Sequence, residues 1–153
     1  MTVTPGREAA IPNPALAPWA RMIGEWTTLG AHPLLPGITL HGRASFEWLE
    51  GGAFVIMRTE IDESEIPSGI AVFGSDDATG EHFMLYFDER GVSRRYNVTL
   101  FEDGWLWSRS ASGFSQRFRG TLSKDGRTIM GRGELSKDGV TWEGDLELTY
   151  SRV

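Results

Sequence analysis

The chain has 153 residues, 40% hydrophobic and 24% charged, proportions that fit one globular domain with a substantial core. Its formal charge of −6 argues against a duplex nucleic-acid partner, and the absence of cysteine excludes disulfides and thiolate metal sites. No apolar run approaches the roughly 20 residues of a membrane-spanning helix, and Met1 to Ile11 lack the layout of a secretion signal, so the expected compartment is the cytoplasm.

In chain order, residues 1–13 read as a flexible N-terminal arm, because Pro5, Gly6, Pro12 and Asn13 discourage regular structure. Residues 14–153 read as a single domain. Asn13 followed by Pro14 is a helix start: a side-chain cap, then a residue whose φ is already helical. One or two turns follow through Ile23, with Gly24 as the expected stop. Pro18 within them points to 3₁₀ character.

Ten strand runs follow, at 25–29, 38–48, 53–62, 69–76, 81–88, 93–101, 104–110, 113–122, 127–136 and 140–152. The breaks between them carry turn chemistry, among them Asp103-Gly104, Asp125-Gly126 and Asp138-Gly139. Asp-Gly between alternating runs marks a hairpin, since both residues tolerate positive φ. Connections this short require antiparallel neighbours, because a parallel crossover needs a dozen residues or more. An open ten-strand meander would leave two exposed edges, and closing it removes them. The expected fold is therefore all-β: an antiparallel up-and-down barrel of about ten strands, with one short N-terminal helix at an end.

The period of two assigns faces. Trp142, Leu146, Leu148 and Tyr150 share one, with Gly144 between them, opposed by Thr141, Glu143, Asp145, Glu147 and Thr149. Polar side chains in phase with apolar ones are the candidates for an interior site. Arg58 follows Phe54 and Ile56, and Arg109 follows Trp105 and Trp107. Gln116 lies between Phe114 and Phe118, and Tyr96 is in phase with Val98 and Leu100. An arginine turned inward needs an internal acid such as Glu60 or Glu134, or an anionic ligand; the other reading places it at a barrel rim in water. The candidate ligand contacts are Arg58, Tyr86, Tyr96, Trp107, Arg109, Gln116, Glu134 and Trp142. Arg90, Arg94 and Arg95 read as a solvated hairpin end. Strands 53–62 and 81–88 are apolar on both faces, which fits a helix cover, a subunit contact or thick barrel packing.

Gly24-Glu25-Trp26 after a short helical turn resembles the opening strand of the calycins, the lipocalin and fatty-acid-binding barrel superfamily. The resemblance implies that Trp26 packs across the barrel floor and that Arg152, near the end of the last strand, covers it. A second likeness spans roughly residues 16–152. It is carried by Tyr86-Phe87-Asp88-Glu89-Arg90-Gly91-Val92, by Arg117-Phe118 with Asp125-Gly126, and by Glu134 to Trp142 running on to Tyr150-Ser151-Arg152. These segments are similar to a group of small bacterial calycin-like proteins catalogued as a domain of unknown function. That implies a lipocalin-like barrel and no particular activity. The likeness leads us to expect a bulky aromatic near Gly133, and a glycine facing inward there would enlarge the cavity. Haem-binding nitrobindins are relatives with a similar barrel, but their iron ligand is a histidine late in the chain, and no histidine follows His82 here.

His32, His41 and His82 share no metal-ligand spacing, so no metal is expected. There is no P-loop and no dinucleotide fingerprint, and no cofactor is expected. Gly131-Arg132-Gly133, inside a strand run, reads as a bend or bulge. The leading functional expectation is a binder of a small apolar or amphipathic molecule in the barrel interior. One alternative is a cofactor-independent isomerase, cyclase or hydrolase using Glu134, Glu60, His82 or Tyr86 as acid or base. The other is an interaction module, including a homodimer formed through an exposed strand or an aromatic patch.

Overall fold

A computed structural model describes residues 10–153; most of the N-terminal arm, residues 1–9, lies outside the described residues. A 3₁₀ helix, Pro14–Arg21, precedes ten strands: β1 (Gly24–Ala31), β2 (Leu40–Leu49), β3 (Phe54–Ile61), β4 (Gly69–Ser75), β5 (His82–Asp88), β6 (Ser93–Phe101), β7 (Gly104–Arg109), β8 (Ser115–Leu122), β9 (Thr128–Ser136) and β10 (Glu143–Arg152). Each strand pairs antiparallel with its sequence neighbour, and β1 pairs with β10 to close the barrel. The closing register sets Trp26 opposite Arg152, Thr28 opposite Tyr150 and Gly30 opposite Leu148. Among the described residues, no helix is long and apolar enough to cross a membrane.

The helix forms as its ends dictate. Asn13 Oδ1 accepts the Ala15 N–H at 3.1 Å, Pro14 opens the first turn, and the Met22 N–H closes the last onto the Trp19 carbonyl. It ends at Arg21, ahead of the expected stop at Gly24. Gly24 instead starts β1 with φ +132°, and a Cβ there would lie 2.8 Å from the Arg152 guanidinium. Glycine is required because an arginine occupies the space a side chain would take.

Leu16 and Trp19 of the helix, with Met22 just after it, are buried against one end of the barrel. Trp19 meets Phe73 at 4.2 Å between ring centroids, Trp105 at 5.5 Å and Phe46 at 5.8 Å. Gly120, opposite Trp105, has no room for a Cβ, which would lie 2.4 Å from that indole. The Trp26–Arg152 contact implied by the resemblance is present: the guanidinium lies 4.1 Å from the ring centroid. It donates to the carbonyls of Ile23, Arg21 and Gly126 at 2.8, 2.6 and 3.0 Å. This half of the interior is solid aromatic packing, so the barrel is not hollow from end to end.

A bulge separates the two halves of β10. Between Gly144 and Glu147 two residues oppose the single Gly133 of β9. Gly133 faces inward, paired with Phe118, yet it opens no cavity: a Cβ would lie 2.8 Å from the Leu146 carbonyl and 3.3 Å from the Phe118 ring. The glycines of β9 make room for the bulge and for Phe118, as a bend or bulge requires.

Candidate functional site at the open end of the barrel

Among the described residues no segment plugs the end opposite the helix, and its inward positions are polar. Met84 and Tyr86 on β5, Tyr96 and Val98 on β6 and Trp107 on β7 belong to or pack against the core, so their even or odd partners Arg94, Arg109 and Gln116 share the inner face by strand alternation. Val98 opposes Trp107, and Arg109 opposes Gln116. Trp107 stacks on Phe118 at 4.9 Å and on Trp105 at 5.7 Å, forming the boundary between solid core and open end.

Gln116 is the hub. Its Oε1 accepts the Tyr96 hydroxyl at 2.7 Å and an Arg94 N–H at 3.2 Å. Arginine offers only donors, so the amide oxygen must face it, and the Gln116 amide N–H groups are left for another acceptor. Burial pushes the Tyr96 phenol up, partly opposed by Arg94 and Arg109, while Asp145 reinforces the rise. Arg109 and Asp145 therefore act on the same interior spot as Tyr96. Arg94 also lies over the Phe114 ring at 5.5 Å.

Two further polar groups flank the hub. The Tyr86 hydroxyl donates to Asp88 at 2.8 Å, and Arg90 grips the same carboxylate through two nitrogens. The Arg90 bonds, with those from Tyr86 and the Arg90 backbone, hold Asp88 well below the usual carboxylate range. Burial and the bond to Asp88 push the Tyr86 phenol up, keeping it protonated and its donor engaged. On the other side, His32 Nδ1 accepts the Leu34 N–H at 3.0 Å, so its Nε2 carries the proton and donates to Asp145 at 3.0 Å. That contact ties the loop after β1 to the β10 bulge. With both ring nitrogens engaged, His32 is a clip and offers no free base.

Of the eight candidate contacts, the structure brings Tyr86, Tyr96, Trp107, Arg109 and Gln116 together at this end. Three are placed elsewhere. Arg58 is exposed on the outer wall, because the inward residues of β3 are Val55 and Met57; both faces of that strand are apolar, so its phase was ambiguous. Glu134 is also outside, paired with Arg117 at 3.0 Å. Trp142 precedes β10 and packs on the outer side of Arg117, at 3.8 Å from ring centroid to guanidinium. The bulge shifts the phase by one residue, so a position aligned in sequence with Leu146 and Leu148 ends on the opposite face. Glu60 likewise pairs outside with Arg43, and His82 faces inward at the far end, opposite Val98.

Alternation along the chain does not by itself select Arg94 or His32, and it assigns Asp145 to the wet face of the last strand, from which the β10 bulge removes it. Arg94 had a signal, since it is in phase with Tyr96 and Val98, but its neighbours Arg90 and Arg95 made it look like part of a solvated turn. His32 and Asp145 had none, because barrel closure alone joins them. Of two clefts on the wall, one of about 380 Å³ lies away from this cluster, and one of about 320 Å³ reaches its edge at Asp88. The larger holds charges already paired on the wall, Arg132 with Glu147 and Glu134 with Arg117. Among the described residues no three His, Asp or Glu side chains converge as a metal site.

No protein-family model and no curated protein sequence matches this chain. Among solved structures, the chain is similar to the crystal structure of Rv2717c from M. tuberculosis, with a TM-score of 0.62 and 13% sequence identity. The likeness covers 92% of this chain and 98% of that one. At that identity it shows a shared barrel fold.

Proposed function

We propose that the open end of this calycin-like barrel binds a small molecule with a largely apolar body and an anionic end, such as a carboxylate. The carrying observation is the state of its arginines. Of five half-buried arginines, Arg117 and Arg119 have carboxylate partners and Arg152 is saturated by carbonyls. Arg94 and Arg109, on the inner faces of neighbouring strands, form no ion pair among the described residues. A sheltered cation without a counter-charge is costly, and an anion arriving there offsets that cost. Of the acids at this end, Asp88 and Asp145 are engaged by Arg90 and His32, and Glu143, exposed at the rim in the same cross-strand row as Gln116 and Arg109, forms no ion pair among the described residues. The ligand's anion would meet Arg94, Arg109 and the Gln116 amide, and its apolar body would lie on the half-buried Trp107 and Leu146.

The test is a fluorescence titration, reading Trp107 by difference against Trp107→Phe, with aryl and alkyl carboxylates and their neutral amides. The carboxylates should bind at least tenfold more tightly than the amides, and Arg94→Gln or Arg109→Gln should each remove roughly tenfold of that preference. Equal binding of acid and amide, or an anion preference unchanged in both variants, would overturn the reading.

A further inference from the structure

We propose that the guest of the open end is a short aromatic acid, one ring or two fused rings lying flat on Trp107, and that long alkyl chains are excluded. This inference rests on the anionic-end reading above and adds to it the shape of the apolar body. It follows from how little depth the barrel leaves beneath Arg94 and Arg109.

Cross-strand register sorts the inward side chains of this half into layers. Arg109 and Gln116 oppose each other in one layer, and Val98, Trp107 and Phe118 form the next. The two layers stand two residues apart along each strand, about 7 Å. The upper one is pinned to the core. The Tyr96 ring is buried, its hydroxyl donates to Gln116 Oε1 at 2.7 Å, and Arg94 reaches the same oxygen at 3.2 Å. An anion held by Arg94, Arg109 and the Gln116 amide is therefore about one layer from the Trp107 ring.

Below the second layer the space is filled. Phe118 is buried and stacks on Trp107 at 4.9 Å, and Trp105 stacks on it from the core side at 5.7 Å. A Cβ on Gly131 or Gly133 would press on the Phe118 ring, so even the glycines of β9 leave no channel. Trp107 is only half-buried, which leaves part of its indole open to the mouth. A ring stacked there has its centroid about 5 Å from the indole, which fills most of the layer and brings a carboxylate on its edge to the arginines. The surrounding groups are aromatic too: Phe114 lies at 5.5 Å from Arg94, and Tyr86 meets Tyr96 edge-on at 6.4 Å. An alkyl chain of more than roughly six carbons outruns the layer, meets Trp107 end-on and turns back into water.

Calorimetric titration of the full chain tests this with the alkanoates from butanoate to decanoate, with hexanamide, and with benzoate and 2-naphthoate. Alkanoate affinity should rise roughly fourfold per methylene up to about six carbons and then stay level. The aryl acids should bind about fivefold more tightly than alkanoates of equal carbon number. Phe118→Ala, which opens the space under Trp107, should let the rise continue to decanoate. If that variant fails to fold, the series on the unsubstituted protein decides alone. An affinity that climbs through decanoate, aryl acids no tighter than matched alkanoates, or a folded Phe118→Ala whose series still stops at six carbons would overturn this inference. The anionic-end reading survives each of those results so long as hexanoate outbinds hexanamide; equal binding of that pair overturns both.

Discussion

At the closed end of the barrel, Arg152 donates to three backbone carbonyls and lies on the face of Trp26. At the open end, Arg94 donates to one amide oxygen, and the Arg109 side chain makes no hydrogen bond among the described residues. Both ends mix arginine with aromatic rings, yet one arrangement is complete within the chain and the other is not. The difference follows from the plug. The helix brings backbone carbonyls and Trp19 over one opening, which satisfies Arg152 and expels water. Among the described residues nothing comparable covers the other end, so Arg94 and Arg109 are left without a counter-charge there, which is what the proposed anionic guest would supply. Satisfied polar groups stabilise the closed end, and the proposed binding site is the end where they are not satisfied.

Breaking the closed end should give the largest effect. Trp19→Ala removes the ring that Phe46, Phe73 and Trp105 pack against and should cost about 4 kcal/mol in denaturant unfolding. If Trp19 instead proves tolerant, the helix is an ornament and the asymmetry between the ends loses its physical basis. Next in size is Arg152→Ala, expected to cost about 2 kcal/mol by stranding the carbonyls of Ile23, Arg21 and Gly126. Lysine at the same place should recover only part of that, since a single ammonium cannot serve three acceptors in fork geometry.

The smallest effect belongs to Asp88 at the open end, and it is read by pH. Its carboxyl sits below the ordinary range when folded, so its bonds stabilise the barrel at neutral pH, and that contribution is lost as pH falls from the ordinary carboxylate range through the depressed value. Asp88→Asn should lower stability by about 1 kcal/mol at neutral pH, with the two proteins converging in acid. Thermal unfolding across that range measures it. An equal deficit at every pH would mean that Asp88 acts through shape rather than charge.

Much of this was legible locally. Asp-Gly turns and alternation place the ends of all ten strands no more than three residues from where they are observed, since a hairpin's chemistry is contained in the few residues that make it. Tyr96, Val98 and Leu100 announced their common face because β6 is unbroken. The same rule failed at Trp142, where one extra residue in β10 inverts every side chain before it. On β3 it could not choose, because Ile56 and Met57 are equally apolar and nothing in the strand itself says which side is core.

What the chain determined alone, then, was the strand list, the antiparallel order, the helix cap at Asn13 and the aromatic supply that fills one end. Tertiary closure decided the rest: which opening is plugged, which arginines find acceptors, and the meeting of His32 with Asp145 from opposite ends of the sequence. The reason is range. Turn and alternation signals act over a few bonds, whereas the environment of a charge depends on every strand that curls around it.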